Sequence, residues 1–321
     1  MKTLVAGGSG FIGTQLIARL TAAGHEVTCY DLAVNPALAD ITIQADVRDR
    51  EAYTAAATGH DLIINLAAAH RDDVRPVELY QQVNVDGANA TIAAAEANGI
   101  QRLIFTSTVA LYGLDKPAST ESDAPEPFNE YGRTKLAAEE VYHRWYQAAP
   151  GRQLAIVRPC VVFGEGNRGN VYNLAKQLST GRFLTVGNGQ NRKSMAYVGN
   201  VAAFLADLVE STDGDLLVNY ADKPDLTTNQ LVAILRDALN RHHGQSIHLP
   251  LWLGLIGGRV FDLIAWLTRR DLPISTVRIR KFAASTVVDT ARLEALGFTR
   301  PYSLAEGLRR TVAAEFGPTA G

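Results

Sequence analysis

Gly7, Gly8, Gly10 and Gly13 stand between the first apolar run, Thr3–Ala6, and the first segment with helical periodicity, Phe11–Ala23. A chain that leaves a buried strand and opens a helix within a few residues must turn tightly. Glycine, lacking a Cβ, permits that turn and a close approach of neighbouring backbone. The alternation continues downstream. Residues 26–30, 41–45, 61–66, 102–107 and 153–158 read as strands, and 48–57, 76–97 and 130–147 read as helices. Such alternation predicts βαβ units, and near-continuously apolar strands predict a sheet covered on both faces. The expected fold class is α/β, a doubly wound parallel sheet with a smaller C-terminal α/β lobe.

A glycine turn that runs into a helix N-terminus is an anion site, because backbone N–H groups and the helix dipole favour a pyrophosphate. The spacing here is G-x-x-G-x-x-G, so its place directly after the first strand carries the argument. Asp31 ends the second strand. A carboxylate there accepts hydrogen bonds from an adenosine ribose and repels a 2′-phosphate, which selects NAD over NADP. Asp46 and Val47 follow the third strand, where an acid can meet the adenine amino group. Residues 1–165 are therefore expected to form a Rossmann-type NAD-binding domain. Residues 166–321 are expected to be mainly a substrate lobe, with some segments returning to the first domain.

Tyr131 and Lys135 lie one helical turn apart, on one face. A free phenol titrates near ~10, and an adjacent ammonium favours the phenolate, so the pair can move a proton. Alone, this spacing favours a solvated helix face. The upstream loop and acid turn the reading towards chemistry.

With 47% hydrophobic and 20% charged residues, the chain has the composition of a soluble globule. Its net charge of −2 gives no general attraction to nucleic acid. Cys29 and Cys160 sit in apolar segments without metal-ligand spacing, so they are expected as reduced core residues, with no metal and a cytoplasmic location. Met1-Lys2 runs straight into the first strand, leaving no signal peptide in the reading. The apolar segment 249–267 is interrupted by Arg259 and Asp262 and flanked by Pro250 and Pro273. A spanning helix wants about 20 mostly apolar residues. The segment is read as a buried or interfacial helix with no integral membrane span, peripheral membrane contact being the alternative.

The glycine loop, Asp31, Asp46, Asn65 to His70, Asn84, Phe105 to Thr108, Tyr112-Gly113, Tyr131 to Lys135 and Arg158-Pro159 occur in one order. That order resembles the extended short-chain dehydrogenase/reductase family, in its nucleotide-sugar epimerase and dehydratase branch. The resemblance implies that Gly7, Gly10, Phe11, Ile12, Gly13, Asp31, Asp46, Val47, Leu66, Ala67, Ala68, Tyr131, Lys135 and Pro159 line the cofactor. Tyr131 is implied as the general acid/base, Lys135 as the residue that binds the nicotinamide ribose and lowers the tyrosine pKa, and Thr108 as the partner on the reacting oxygen. Asn84 is expected to brace the helix and loop behind the site. Lone His70 is given no catalytic role.

Family dehydratases carry an Asp-Glu pair after the catalytic threonine; here Val109 and Ala110 stand there and cannot exchange protons. Decarboxylating members place a Glu at the first of these positions, and fucose-forming epimerase/reductases a Cys. What remains is hydride transfer with one acid/base, as in 4-epimerisation or in reduction at one carbon. Asn170 matches a residue that contacts the phosphate or sugar region. Lys193, with Arg192 beside it, aligns with an Arg that grips a diphosphate, and either can serve. The run 164–173 looks like that of UDP-N-acetyl-hexosamine 4-ketoreductases. Val161 departs from a family Asn.

The expected protein is an NAD(H)-dependent oxidoreductase acting at C4 of a UDP-linked nucleotide sugar, as 4-ketoreductase or 4-epimerase. The alternatives are a hydroxysteroid or small-ketone dehydrogenase on the same frame, and a non-catalytic NAD-binding regulator. A homodimer through the helices beginning near Pro76 and Asn129 is expected.

Overall fold

The computed structural model describes residues 1–71, 74–113, 116, 118–181, 183–211, 214–241, 247–268, 276 and 284–317. Pro273, named in the sequence reading, lies outside the described residues. At the centre is a seven-stranded parallel sheet. Six of its strands are β1 (Lys2–Ala6), β2 (Glu26–Asp31), β3 (Thr42–Gln44), β4 (Leu62–Asn65), β5 (Arg102–Thr106) and β6 (Gln153–Pro159). The seventh, β10 in chain order (Asp215–Tyr220), is one that the sequence pattern does not announce, and it lies parallel beside β6. The order is β10-β6-β5-β4-β1-β2-β3.

The apolar strands are explained by their two covered faces. Leu4, Ala6, Ile63 and Phe105 point to one core, with Tyr53 of α2 (Arg50–Ala56), Ala94 of α4 (Gly87–Asn98) and Tyr142 of α5 (Glu130–Gln147). Val5, Ile64 and Ile104 point to the other, with Leu16 and Leu20 of α1 (Phe11–Ala22) and Phe204 of α7 (Val198–Ser211). Successive strand residues alternate between the two cores, each buried side chain adding about 1.5–3 kcal/mol of burial free energy.

The helix expected over 76–97 is interrupted. After a short α3 (Glu78–Tyr80), residues Gln81–Asp86 form a π turn before α4 resumes the α pattern. Such wide turns accompany functional positions, and Asn84 lies inside this one. Ahead of β3, Pro36–Ile41 is a 3-10 turn capped by Asn35, so the strand starts one residue later than the pattern suggests. Asn129 caps α5 by accepting from the Gly132 N–H at 2.9 Å, which fixes where Tyr131 emerges.

The second lobe has its own core of Phe163, Leu174, Tyr197, Leu231 and Leu308. In it, β9 (Arg192–Tyr197) lies between β7 (Val161–Phe163) and β11 (Asp222–Thr227), and β8 (Leu184–Val186) pairs with β12 (Ile247–Leu249). Arg192 and Lys193 are thus strand residues. Around the core pack α6 (Asn170–Ser179), α8 (Thr228–Ala238) and the C-terminal helix Leu304–Phe316. Thr227 and Gln230 close a reciprocal capping box at the start of α8. Phe11 and Ile12 pack against this lobe's core from the first turn of α1. Helix α9 (Leu251–Thr268) follows β12. Among the described residues no helix is long and apolar enough to cross a membrane.

Candidate active site

Parallel strands deliver their carboxyl ends to one edge of a sheet. At that edge the glycine loop follows β1, Asp31 ends β2, Asp46 and Val47 follow β3, Leu66 to Ala68 follow β4, Thr108 follows β5 and Pro159 ends β6.

The glycines are required by contact. Gly7 has φ +76°, and a Cβ there would lie 2.6 Å from the Ala67 nitrogen, so the turn rests on the chain leaving β4. A Cβ on Gly13 would lie 2.5 Å from the Gly7 carbonyl oxygen. Gly10 is the N-cap of α1, which begins with no side-chain cap. The first-turn N–H groups, at Phe11, Ile12 and Gly13, are therefore not engaged by a capping side chain. Asp31 is tied to this loop, accepting from the Ser9 N–H and the Ala33 N–H, both at 3.0 Å. Sequence reading passed over Ser9 and Asn35. Asn35 donates its N–H to Ser9 Oγ at 3.2 Å and its side-chain amide to Thr14 at 3.0 Å. A serine between the loop glycines is the signal that points to them.

Asp46 does not stand open as expected. Arg48 grips its carboxylate, with Nε at 2.9 Å and Nη2 at 2.6 Å, and these hydrogen bonds hold the carboxyl below its ordinary range. Val47 is buried against Gly87.

Asn84 is the brace that the sequence reading expects. Its Oδ1 accepts from the Ala69 N–H at 2.9 Å, while Nδ2 donates to the Ala69 carbonyl at 3.2 Å and to Thr134 Oγ1 at 2.9 Å. The Thr134 hydroxyl in turn contacts the Tyr131 carbonyl at 3.1 Å. His70 is exposed, near only the Ala68 carbonyl at 3.4 Å.

The Thr108 hydroxyl lies close enough to the Tyr131 phenol to lower its pKa. Thr108 also accepts from the Ala110 N–H at 3.1 Å, which orients its hydroxyl. The net shift of the tyrosine runs opposite to the lowering expected: burial pushes the phenol up to about 12, and the neighbouring Thr108 hydroxyl opposes it. Lys135 is 1% exposed, its Nζ 4.0 Å above the Phe105 ring centroid. Burial lowers this ammonium to about 7, against the opposing pull of the Glu139 carboxylate. Desolvation dominates both groups because each charged form loses water on entering the fold.

Glu139, one turn beyond Lys135, was missed, although its spacing continues the stripe. It pairs with Arg158 through two bonds of 2.9 and 2.5 Å, both side chains being buried. Arg158 also donates to the Tyr112 hydroxyl at 2.6 Å, which donates to Asn219 of β10 at 2.8 Å.

The substrate-half candidates are less convergent. Asn170 is exposed at the first residue of α6. Arg192 and Lys193 are neighbours on β9 and so project to opposite faces. Arg192 Nη1 donates to the Asp225 carbonyl at 3.0 Å, and Lys193 Nζ to the Ala284 carbonyl at 2.9 Å.

The family model "NAD dependent epimerase/dehydratase family" matches residues 3–218. The chain is 46% identical over 317 residues to the N-acetyl-alpha-D-glucosaminyl-diphospho-ditrans,octacis-undecaprenol 4-epimerase of Escherichia coli O157:H7, covering 98% of this chain and 95% of that one. The UDP-glucose 4-epimerase of Vibrio cholerae is 25% identical over 324 residues, covering 97% and 94%. In fold, the chain is similar to the UDP-glucose 4-epimerase of Thermotoga maritima solved with UDP-glucose, with a TM-score of 0.77 at 22% identity and 98% of each chain covered.

Proposed function

The chain belongs to the NAD dependent epimerase/dehydratase family, and from that premise we propose that it inverts C4 of a sugar carried on a diphosphate. The observation that carries this reading is the 46% identity, across nearly the whole of both chains, to a 4-epimerase of a diphosphate-linked N-acetylglucosamine. Val109 and Ala110 support it, since no second proton-exchanging pair stands beside Thr108. The dehydrogenase and regulator alternatives have no comparable support. The carrier we favour is a polyprenol, as in that relative; a nucleotide carrier has the support of the more distant UDP-glucose 4-epimerases.

The residues present fit NAD. The uncapped α1 N-terminus, the Gly7 and Gly13 contacts and Asp31 suit its pyrophosphate and adenosine ribose, with Val47, Leu66, Ala67, Ala68 and Pro159 lining its length. NAD bound there would supply the hydride acceptor and donor for reversible oxidation at C4. Tyr131 takes the proton of the C4 hydroxyl and returns it to the same oxygen after the keto sugar has turned its opposite face to the cofactor, so that the hydride comes back on the other side of C4. Thr108 stabilises charge developing on that oxygen by hydrogen bonding. Lys135 is the positioning cation, and when protonated it favours the phenolate. Arg192 or Lys193, with Asn170, would hold the diphosphate after leaving present partners. Two free, buried cysteines suit a cytoplasmic protein, and pairing of α4 and α5 with those of a second copy would give a homodimer.

The test is incubation of purified protein and NAD with N-acetylglucosaminyl-diphospho-polyprenol and, separately, UDP-N-acetylglucosamine. C4 inversion without net NADH formation is expected with the first, and Tyr131→Phe should abolish it. No inversion of either compound overturns the reading; inversion of the nucleotide sugar alone overturns the polyprenol assignment.

A further inference from the structure

The first half of helix α9 (Leu251–Thr268) turns large apolar side chains outward. Gly254 and Gly258 are buried, whereas Leu251 is 41%, Trp252 62%, Leu253 37% and Ile256 49% exposed. A helix on a water-facing surface turns its large apolar residues inward. Here Trp252, Ile256 and exposed Arg259 run along one face at helical spacing, with Leu253 at its margin. A contiguous apolar face of this kind marks a contact surface.

The sequence that runs through and beyond that helix is basic. From Arg259 to Lys281 the sequence carries Arg259, Arg269, Arg270, Arg278, Arg280 and Lys281 against Asp262 and Asp271. The whole chain, by contrast, has a net charge of −2. Basic residues beside Trp and Leu are the composition of helices that lie in the headgroup region of an anionic bilayer. Arg259 and Asp262 in mid-helix suit an in-plane orientation and not a span.

The face is also wired to the substrate lobe. Strand β12 leads directly into α9 and pairs with β8, and the Gly187 N–H donates to the Leu249 carbonyl at 2.9 Å. Gly187 opens the loop that runs into Arg192 and Lys193.

We propose that α9 docks the protein in plane on an anionic phospholipid surface, with Trp252, Leu253 and Ile256 entering the boundary between headgroups and acyl chains. The role of this contact rests on the polyprenol reading above. A sugar on a polyprenyl diphosphate stays at the headgroup level, and a docked enzyme meets it there without extracting the lipid.

The test is flotation of the full chain with vesicles of phosphatidylcholine alone or mixed with phosphatidylglycerol, all free of sugar substrate. The protein should float with the mixed vesicles, less with neutral ones, and less as salt rises. The double variant Trp252→Glu/Ile256→Glu, altered at two exposed positions, should lower partitioning by about tenfold or more. Its C4 inversion of a water-soluble, short-chain sugar diphosphate should be unchanged. Absence of flotation, equal flotation of the variant, or conversion of a wild-type dimer to monomer by the variant would each overturn the proposal. Failure of the epimerase reading is distinguishable: the protein would float yet leave the soluble substrate unchanged.

Discussion

Asn84 donates its side-chain amide to the Thr134 hydroxyl at 2.9 Å, inside the helical turn that separates Tyr131 from Lys135. The same side chain clasps the Ala69 N–H and carbonyl, so one residue of a π turn ties the loop after β4 to the helix with the acid/base pair. Asn84→Ala should lower kcat by roughly 10- to 100-fold through misplacement of Tyr131. Orphaned buried polar groups should cost about 1–3 kcal/mol of stability. Steady-state kinetics with a parallel urea melt checks both, and a variant with wild-type kcat removes the positioning role.

The Glu139–Arg158 pair is buried on both sides. Glu139→Ala leaves a guanidinium without its counter-charge, and should cost about 3–5 kcal/mol. Replacing both residues with Met should cost distinctly less, since no charge is then stranded. Denaturant midpoints of the two variants decide it.

Lys135 holds its proton more weakly in the folded protein, near 7, than at its ordinary value of 10.5. Between those values the unfolded chain binds more protons, so stability from this group rises with pH. The lysine opposes folding most fully below pH 7, and the opposition fades as pH climbs towards 10.5. Relative to Lys135→Met, wild type should therefore gain on the order of 1–3 kcal/mol between pH 7 and pH 10. A gap between the two proteins that stays constant with pH would refute the buried, weakly basic lysine.

Asp31 accepts from the glycine loop through Ser9 and is placed to accept from a ribose. Asp31→Ser should weaken NAD binding by about tenfold and narrow the preference over NADP, because a repulsive charge at the 2′ position is gone. Titration calorimetry with each dinucleotide measures the ratio.

Local constraints were legible from sequence. Gly7 and Gly13 announce themselves because only glycine avoids their backbone contacts, and Tyr131 and Lys135 because helical spacing is periodic. Strand β10 was not, since its apolar Leu216, Leu217 and Val218 are set between polar Asp215 and Asn219 and show neither alternation nor a longer continuous apolar run. The Glu139–Arg158–Tyr112–Asn219 chain joins residues far apart in sequence, and such pairing leaves no local trace. The opposite projection of Arg192 and Lys193 became visible only once they stood on a strand. The pKa of Tyr131 moved against expectation because burial, which sequence does not report, outweighs spacing.

Strand β10 has a consequence for the order in which the protein is made. The side chains proposed to do the chemistry are all synthesised by residue 135, yet Tyr112 and Arg158 wait for Asn219 to complete their network. A nascent chain halted before Asp215 has the acid/base helix and leaves β6 as an open sheet edge. Site and scaffold therefore mature together late in translation, and a ribosome that stalls in the second lobe releases an unguarded parallel edge rather than a partly active enzyme.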